Sequence, residues 1–117
     1  MTTAEVAKNL VELCRQGQNK KAIETLYAEQ AVSIEPDSAP IKRVEGKAGI
    51  LQKGTSLNEM IEQWHGVTVS DPIIAGNFFS VAMSMDVTYK DGNRIKAQEI
   101  CVYKVDEGKI VSEQFYF

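Results

Sequence analysis

Glu99 is the residue whose type and position most directly suggest chemistry in this sequence of 117 residues. Segment 94–105 reads as a β-strand, and one of its faces carries Glu99 together with Ile95, Ala97, Cys101, Tyr103 and Val105. Burying an ionised carboxylate without partners is costly. This strand face therefore either lines a wet pocket or gives Glu99 a specific partner.

Glu35 is the second candidate for acid–base chemistry. It ends a short alternating segment that begins at Val32 and stops before Pro36. Its carboxylate could act as a general base with Glu99 as the acid, because neighbouring carboxylates divide their pKa values between the two roles. The glutamates could equally form ion pairs, for which the candidate partners are Lys42, Arg43, Lys47 and Arg94.

Glu113 joins the same face in only one of two registers of the last strand. A three-residue loop at 106–108, with Gly108 in the left-handed conformation, places Glu113 opposite Cys101. A two-residue turn formed by Glu107 and Gly108 places Gln114 on that face instead. We expect the first arrangement, which also directs Val111, Phe115 and Phe117 inward.

Eight residues are predicted to contact a ligand beside the two candidate catalytic glutamates. They are Tyr27, Trp64, Met83, Met85, Cys101, Tyr103, Glu113 and Phe115. The Tyr103 hydroxyl could orient a ligand, and a core tyrosine fits the same pattern nearly as well. Cys101 has no basic neighbour in sequence, which favours an inert buried thiol. For His65, just past the predicted third helix, a capping or surface role is favoured over catalysis.

The composition argues against several classes of function. The sequence has 13 lysines and arginines against 16 aspartates and glutamates, which gives a net charge of -3. Its basic residues are scattered along the chain, whereas a nucleic-acid-binding protein concentrates them on one surface. No apolar run reaches the roughly 18 residues that span a bilayer, and the opening residues are unlike a secretion signal, so we expect a cytoplasmic protein. The cysteines lack metal-site spacing and the glutamates lack histidine support, so no metal or other cofactor is predicted.

The elements that must position these residues are expected to form one α+β domain over residues 1–117. Helical periodicity predicts a first helix that stops at Gly17, a second at 19–28 and a third at 46–64, with Tyr27 and Trp64 closing the helical side of the core. Alternation predicts strands at 67–70, 73–75, 78–89, 94–105 and 109–117. The turn at 91–93 should pair odd-numbered residues with odd-numbered ones.

A family resemblance is carried by three segments, LYAEQAVSIEP at 26–36, EGKAGI at 45–50 and VYKVDEGKI at 102–110. Through them the chain resembles the SnoaL-like and ketosteroid-isomerase-like branch of the nuclear transport factor 2-like (cystatin-like) superfamily. The resemblance covers almost the whole chain. It implies a cone of three helices packed in a curved, mostly antiparallel sheet that encloses one pocket. It also implies a homodimer formed through the outer sheet face, where Phe78, Ile100 and Val102 are apolar.

The same resemblance bears on chemistry. Ketosteroid isomerases take their base from an Asp-Pro pair after the second helix, and the matching pair here is Glu35-Pro36. The positions that match the isomerase's oxyanion donors are Leu10 and Cys101, and neither donates a strong hydrogen bond to an enolate. We therefore expect a cofactor-independent lyase, isomerase or cyclase that acts on a small apolar molecule through Glu35 and Glu99, without steroid-isomerase chemistry. The alternatives are a non-catalytic, ligand-binding dimer and a purely structural dimer.

Overall fold

The structure, a computed structural model, describes all 117 residues as three helices packed against one sheet. The helices are α1 Thr3–Arg15, α2 Asn19–Leu26 and α3 Lys47–Glu59. The strands are β1 Tyr27–Ile34, β2 Arg43–Glu45, β3 Ile61–Val69, β4 Ile73–Ala75, β5 Phe78–Tyr89, β6 Arg94–Asp106 and β7 Lys109–Tyr116. The predicted α+β class is confirmed.

Helix α1 forms as its local sequence predicts. The backbone N–H of Glu5 donates to the Thr2 hydroxyl at 3.2 Å, and the backbone N–H of Thr2 donates to the Glu5 carboxylate at 3.0 Å. This reciprocal capping satisfies backbone donors that the first turn of a helix leaves free. Gly17 follows the last turn with a φ of 73°, a conformation that glycine adopts without strain.

The sheet order is β2-β1-β7-β6-β5-β3, with β4 paired to β5. All neighbouring strands are antiparallel except β1 and β7, which are parallel. This order makes Ser33 of β1 and Tyr103 of β6 the direct neighbours of Glu113 on β7. Residues that are far apart in sequence therefore meet at the centre of the sheet.

The long β5–β6 hairpin has the predicted register. Met83 pairs with Glu99 and Met85 pairs with Ala97, so odd-numbered residues lie opposite odd-numbered ones. Because cross-strand partners share a sheet face, Glu99 lies on the same face as the buried Val81. That face is the inner one, against which the helices pack.

The β6–β7 turn differs from the expected three-residue loop. Glu107 and Gly108 form a two-residue turn with φ values of 49° and 76°, and Asp106 pairs with Lys109. Two successive positive φ angles characterise the type I′ turn, whose twist matches that of the flanking strands. The three-residue loop was therefore the wrong prediction.

A β-bulge nevertheless turns Glu113 inward. The register shifts by one residue between Lys104 and Val105, after which Tyr103 pairs with Glu113. An extra residue on one strand reverses the faces beyond it, so the two-residue turn does not send Gln114 inward. Two details of the prediction were wrong, as Glu113 lies opposite Tyr103 rather than Cys101, and Ile110 rather than Val111 is buried.

The third helix is shorter than predicted. It ends at Glu59, and the segment from Ile61 to Val69 is strand β3, so Trp64 lies on a strand and is 45% exposed. The long strand β5 supplies hydrogen-bond partners for this segment, whose Trp, His, Gly, Val and Thr residues favour helix weakly. The prediction that Trp64 closes the helical side of the core was therefore wrong.

Strand β1 is longer than predicted and takes over the end of the second helix. Helix α2 stops at Leu26, and Tyr27, which was predicted to be helical, begins the strand. Tyr27 pairs with Ile110 and Ile34 with Gln114, so β7 stabilises β1 from the far end of the chain. Local periodicity could not reveal this parallel pairing because its two strands are separated by most of the sequence.

One hydrophobic core joins the helices to the inner sheet face. It includes Val6 and Leu10 of α1, Ile50 of α3, and Phe79 and Val81 of β5, all of which are at most 2% exposed. None of the three helices has both the length and the apolar character that crossing a bilayer requires.

Candidate acid–base site

Glu113 lies at the bottom of the candidate site and is only 4% exposed. The hydroxyl of Tyr27 donates to its Oε1, and the hydroxyl of Ser33 donates to its Oε2 at 2.6 Å. Burial raises the pKa of Glu113, while the two hydroxyl donors and the nearby Lys53 oppose that rise. With both oxygens held by the protein, Glu113 organises its neighbours and offers no free face to a ligand.

Lys53 of α3 connects Glu113 to the surface. Its Nζ donates to Ser33 Oγ at 2.6 Å and to Glu35 Oε1 at 3.0 Å, and it lies 3.9 Å from Glu113 Oε2. It also lies 5.1 Å from the centre of the Phe115 ring. The side chains of Lys53 and Glu35 are 24% and 18% exposed, so this ion pair borders solvent.

Glu99 is the half-buried carboxylate without an ion-pair partner in this group. Its one hydrogen bond comes from the Cys101 thiol, with Sγ 3.6 Å from Oε1. Burial is the main cause that raises the pKa of Glu99, and the negative charges of Glu35 and Glu113 add to the rise. A carboxyl in this environment keeps its proton to higher pH than an ordinary glutamate does.

The cluster therefore combines three carboxyl groups with one ammonium group. Burial disfavours the charged forms of Glu99 and Glu113, whereas Glu35 forms the 3.0 Å ion pair with Lys53. A half-buried carboxyl that keeps its proton and a carboxylate held beside an ammonium group are suited to act as an acid and a base. None of the four suggested partners binds these carboxylates: Lys47 pairs with Glu29, Arg43 with Glu45 and Arg94 with Asp86, and Lys42 forms no ion pair.

Tyr103 and Cys101 lie in the core beneath this cluster. Tyr103 is 2% exposed and stacks on Phe79, with ring centres 4.8 Å apart, which favours the core role over that of a ligand-orienting hydroxyl. Burial raises the pKa of the Cys101 thiol far above its ordinary range and that of Cys14 to about 11. Both thiols are therefore neutral at pH 7, as expected of inert buried cysteines.

The inner sheet face continues from Glu99 toward an open, apolar end. Val69, Met83 and Glu99 form one row across β3, β5 and β6; the next two rows are Val67, Met85 and Ala97, then Trp64, Val87 and Ile95. Exposure is 42% for Val67 and 45% for both Trp64 and Ile95. An apolar surface thus leads to the carboxyl group of Glu99.

Two depressions are open at the surface. One, of about 350 Å³, is formed by Met1, α1 residues and Gln16 with Thr25 and Leu26. The other, of about 440 Å³, is lined by residues of β3, β5, β6 and β7, among them Ala82, Ser84 and Ile100 of the outer sheet face together with Met83 and Glu99. Neither is the single pocket expected inside the cone, which stays a prediction.

Sequence reasoning missed Lys53 and Ser33, which join the predicted residues into one network. Lys53 follows the fully buried Ile50 by three positions on α3, so the two lie on the same helix face. Ser33 alternates with the buried Ala31 on β1, and its own exposure is 0%. Both signals depend on knowing where α3 and β1 pack, which the local sequence did not show.

The chain is similar in sequence and in structure to known proteins. The model of a SnoaL-like domain matches residues 1–117. The chain belongs to the SnoaL-like domain family. Its α+β architecture is the NTF2-like, or cystatin-like, fold that solved members of this group share. No curated protein sequence matches the chain.

Three solved structures illustrate the relationship. One is a protein from Mesorhizobium loti that is described as a candidate SnoaL-like polyketide cyclase, with the added words carbohydrate phosphatase. It has 36% identity and a TM-score of 0.93, with 100% of both chains covered. IdmH, a candidate polyketide cyclase from Streptomyces antibioticus, has 16% identity and a TM-score of 0.76, covering 99% of this SnoaL-like chain and 91% of its own. A hypothetical protein with a ketosteroid isomerase-like fold from Catenulispora acidiphila, in complex with trimethylamine, has 20% identity and a TM-score of 0.76, with 97% of this chain and 85% of the other chain covered.

Proposed function

We propose that this SnoaL-like protein is a cofactor-independent cyclase or isomerase that moves protons on a small, apolar carbonyl compound. The observation that carries the proposal is the carboxyl pair, in which Glu35 is ion-paired with Lys53 and Glu99 is half-buried without a cation of its own. In this proposal Glu35 is the base and Glu99 is the acid. The relatives described as candidate polyketide cyclases support the same reaction class.

Glu35 and Glu99 account for both proton transfers of the proposed ring closure. The Glu35 carboxylate takes a proton from the carbon next to one carbonyl group, and the resulting enolate carbon attacks a second carbonyl carbon of the same molecule. A C–C bond forms, and the oxygen of the second carbonyl takes the proton of Glu99. Glu35 is then protonated and Glu99 ionised, and exchange with solvent restores both. For a single-carbonyl substrate, proton abstraction by Glu35 alone is the first half of an isomerisation.

The apolar rows beyond Glu99 support an apolar substrate. Trp64, Val67 and Ile95 leave apolar surface exposed on the inner face, in line with Glu99. The charge of the site argues against a phosphate ester, the substrate class suggested by the word phosphatase for the M. loti relative. Glu35 neutralises Lys53 at 3.0 Å, so the site has no net positive charge with which to hold a doubly charged anion.

A non-catalytic ligand-binding protein is the second candidate. It is favoured by the residues at the isomerase's oxyanion positions, because Leu10 and Cys101 are 2% and 0% exposed and neither is a strong donor. The relative bound to trimethylamine illustrates small-ligand binding on this fold. An acidic site such as this one would suit a cationic ligand.

Two reactions monitored by NMR separate these candidates. Deuterium uptake by 2-tetralone in D₂O reports proton abstraction alone, and ring closure of 2,6-heptanedione reports abstraction together with proton delivery. We expect the wild-type protein to accelerate both. Glu35→Gln should slow both by about 10²-fold or more, whereas Glu99→Gln should slow ring closure by about 10²-fold and tetralone exchange far less.

The matched control is Glu59→Gln, which removes an exposed glutamate of α3 outside the cluster. It should change neither rate. If wild-type protein leaves both rates at their uncatalysed values, the acid–base proposal is wrong and the ligand-binding candidate takes its place. Equal effects of Glu99→Gln and Glu59→Gln on ring closure would remove Glu99 as the acid.

The proposal includes a homodimer in the cytoplasm. Apolar outer-face residues support the dimer, because Ala82, Ile100 and Tyr116 form one row across β5, β6 and β7, and Ile100 and Tyr116 are 47% and 51% exposed. The cytoplasmic location rests on the sequence expectation alone.

A further inference from the structure

We infer that Lys53 is the oxyanion-binding residue of this site and that the substrate therefore presents an enolisable carbonyl oxygen to its ammonium group. The inference rests on the proposed acid–base function and adds to it the group that stabilises the developing charge. It supplies a donor that the family resemblance leaves missing, since the residues matched by that resemblance to the isomerase's donors are Leu10 and Cys101, which are 2% and 0% exposed and are not strong donors. No sequence pattern marked Lys53 for this role.

The ammonium group of Lys53 has one N–H donor that no oxygen of the protein uses. An ammonium has three N–H donors, and the protein uses two of them, on Ser33 Oγ at 2.6 Å and Glu35 Oε1 at 3.0 Å. Glu113 Oε2, at 3.9 Å, is beyond hydrogen-bond distance. The third donor is thus left for an oxygen that approaches from the exposed side of the Lys53–Glu35 pair.

The protein holds the ammonium group of Lys53 in place. Ser33, which accepts from Lys53, is itself anchored because its hydroxyl donates to the buried Glu113. The Phe115 ring, 5.1 Å from Nζ, covers another side of the cation. A donor fixed before the reaction stabilises charge without first having to reorganise, which is the property of an effective oxyanion site.

Proton abstraction moves a negative charge from Glu35 to the substrate beside Lys53. Before proton abstraction Lys53 faces the negative charge of Glu35 at 3.0 Å. When Glu35 takes the substrate proton it becomes neutral, and the electron pair of the broken C–H bond places a negative charge on the enolate oxygen. Lys53 then keeps one anionic partner throughout, so the charge moves over a short distance beside a fixed cation.

Binding of 2-naphthol tests the inference, because its ionised form resembles an aromatic enolate and absorbs at a longer wavelength than the neutral form. We expect the wild-type protein to bind the ionised form. Lys53→Met should weaken that binding by at least about tenfold, the effect of losing a hydrogen bond to a charged group. It should also slow tetralone exchange by about 10²-fold. Glu35→Gln should tighten naphtholate binding, since it removes the competing negative charge.

The matched control is Lys47→Met on the same helix. Lys47 is also largely buried and ion-paired, with 16% side-chain exposure and 3.4 Å to Glu29. The Lys47→Met substitution should leave naphtholate binding and tetralone exchange unchanged. If Lys53→Met proves unstable, Lys53→Arg is the second variant, and because it keeps a cationic donor it should retain part of both activities. Binding of neutral naphthol only, absence of naphthol binding, or equal binding by the wild type and a folded Lys53→Met protein would overturn the inference.

The two proposals fail in different ways. Lys53-dependent binding of naphtholate without any catalysed exchange would leave an anion site and refute the acid–base function. Catalysed exchange that depends on Glu35 but not on Lys53 would keep the function and refute the role of Lys53.

Discussion

At the scale of single residues, Glu99 should make stability depend on pH. Its pKa is raised in the folded protein, chiefly by burial and then by Glu35 and Glu113, so the folded state holds this proton more tightly than the unfolded state. Stability is therefore fully present below the ordinary value of 4.5 and is lost as pH rises through the raised pKa of the folded state. Urea unfolding from pH 4 to pH 8 measures this loss.

Glu99→Gln isolates the contribution of Glu99 to that pH dependence. The amide resembles the protonated acid in shape and cannot ionise, so the variant should lose less stability than the wild type toward neutral pH. The buried Glu113 adds a loss of the same sign in both proteins, and comparison of the two curves removes it. Parallel curves for the two proteins would show that the Glu99 carboxyl is solvated in the same way in the folded and unfolded chains.

The residue scale also shows how far sequence reasoning reaches. The alternation of segment 94–105 was enough to place Glu99 on the inner face, and the alternating segment from Val32 that stops before Pro36 placed Glu35 at a strand end. It could not find the partner of Glu35, because Lys53 comes from a different element and approaches only when α3 packs on β1. Suggested partners such as Lys47 and Arg94 instead bind carboxylates outside the cluster.

At the scale of elements, the β6–β7 turn should be sensitive to substitution of Gly108. Its φ is 76°, and a Cβ there would lie 2.9 Å from the backbone nitrogen of Met1. Gly108→Ala should therefore destabilise the protein through both left-handed strain, about 1–2 kcal/mol, and a steric clash with the amino terminus. The free energy of unfolding in urea measures the total.

Gly92 provides the comparison for that prediction. It also has a positive φ, 95°, but a Cβ there would meet no atom within 4 Å, so Gly92→Ala carries the backbone strain alone. Gly108→Ala should be the more destabilising of the two. Equal losses would mean that the amino terminus does not pack on the turn in solution.

The same turn shows how Glu113 was predicted to face inward correctly but from the wrong turn length. Turn length alone would have sent Gln114 inward, because Glu107 and Gly108 form a two-residue turn. The bulge near Val105 reverses that outcome and brings Glu113 to Tyr27 and Ser33. Burial of Ile110 and Glu113 on one face selects this register, and such a tertiary effect is invisible in the local pattern.

At the scale of the whole molecule, the fold class followed from strand alternation and family resemblance, while the division between α3 and β3 did not. Weak helix formers between Ile61 and Val69 were compatible with either structure until β5 was available as a partner. The consequence reaches function, because Trp64 moved from the helical layer to the open end of the inner sheet face. The outer face of the same sheet is where we expect two copies of the protein to associate.

We expect a homodimer in which the row of Ala82, Ile100 and Tyr116 is buried between two sheets. Ile100→Lys would place a charge in the centre of that contact and should weaken association by at least about tenfold, since central apolar residues dominate such interfaces. Ile41→Lys is the control, because Ile41 is 58% exposed in the loop between β1 and β2, outside the sheet. Sedimentation should show a dimer for the wild type and Ile41→Lys at micromolar concentration, and a monomer for Ile100→Lys. A monomeric wild-type protein would refute the dimer and leave Ile100 and Tyr116 as ordinary exposed residues, without affecting the acid–base site on the opposite face of the sheet.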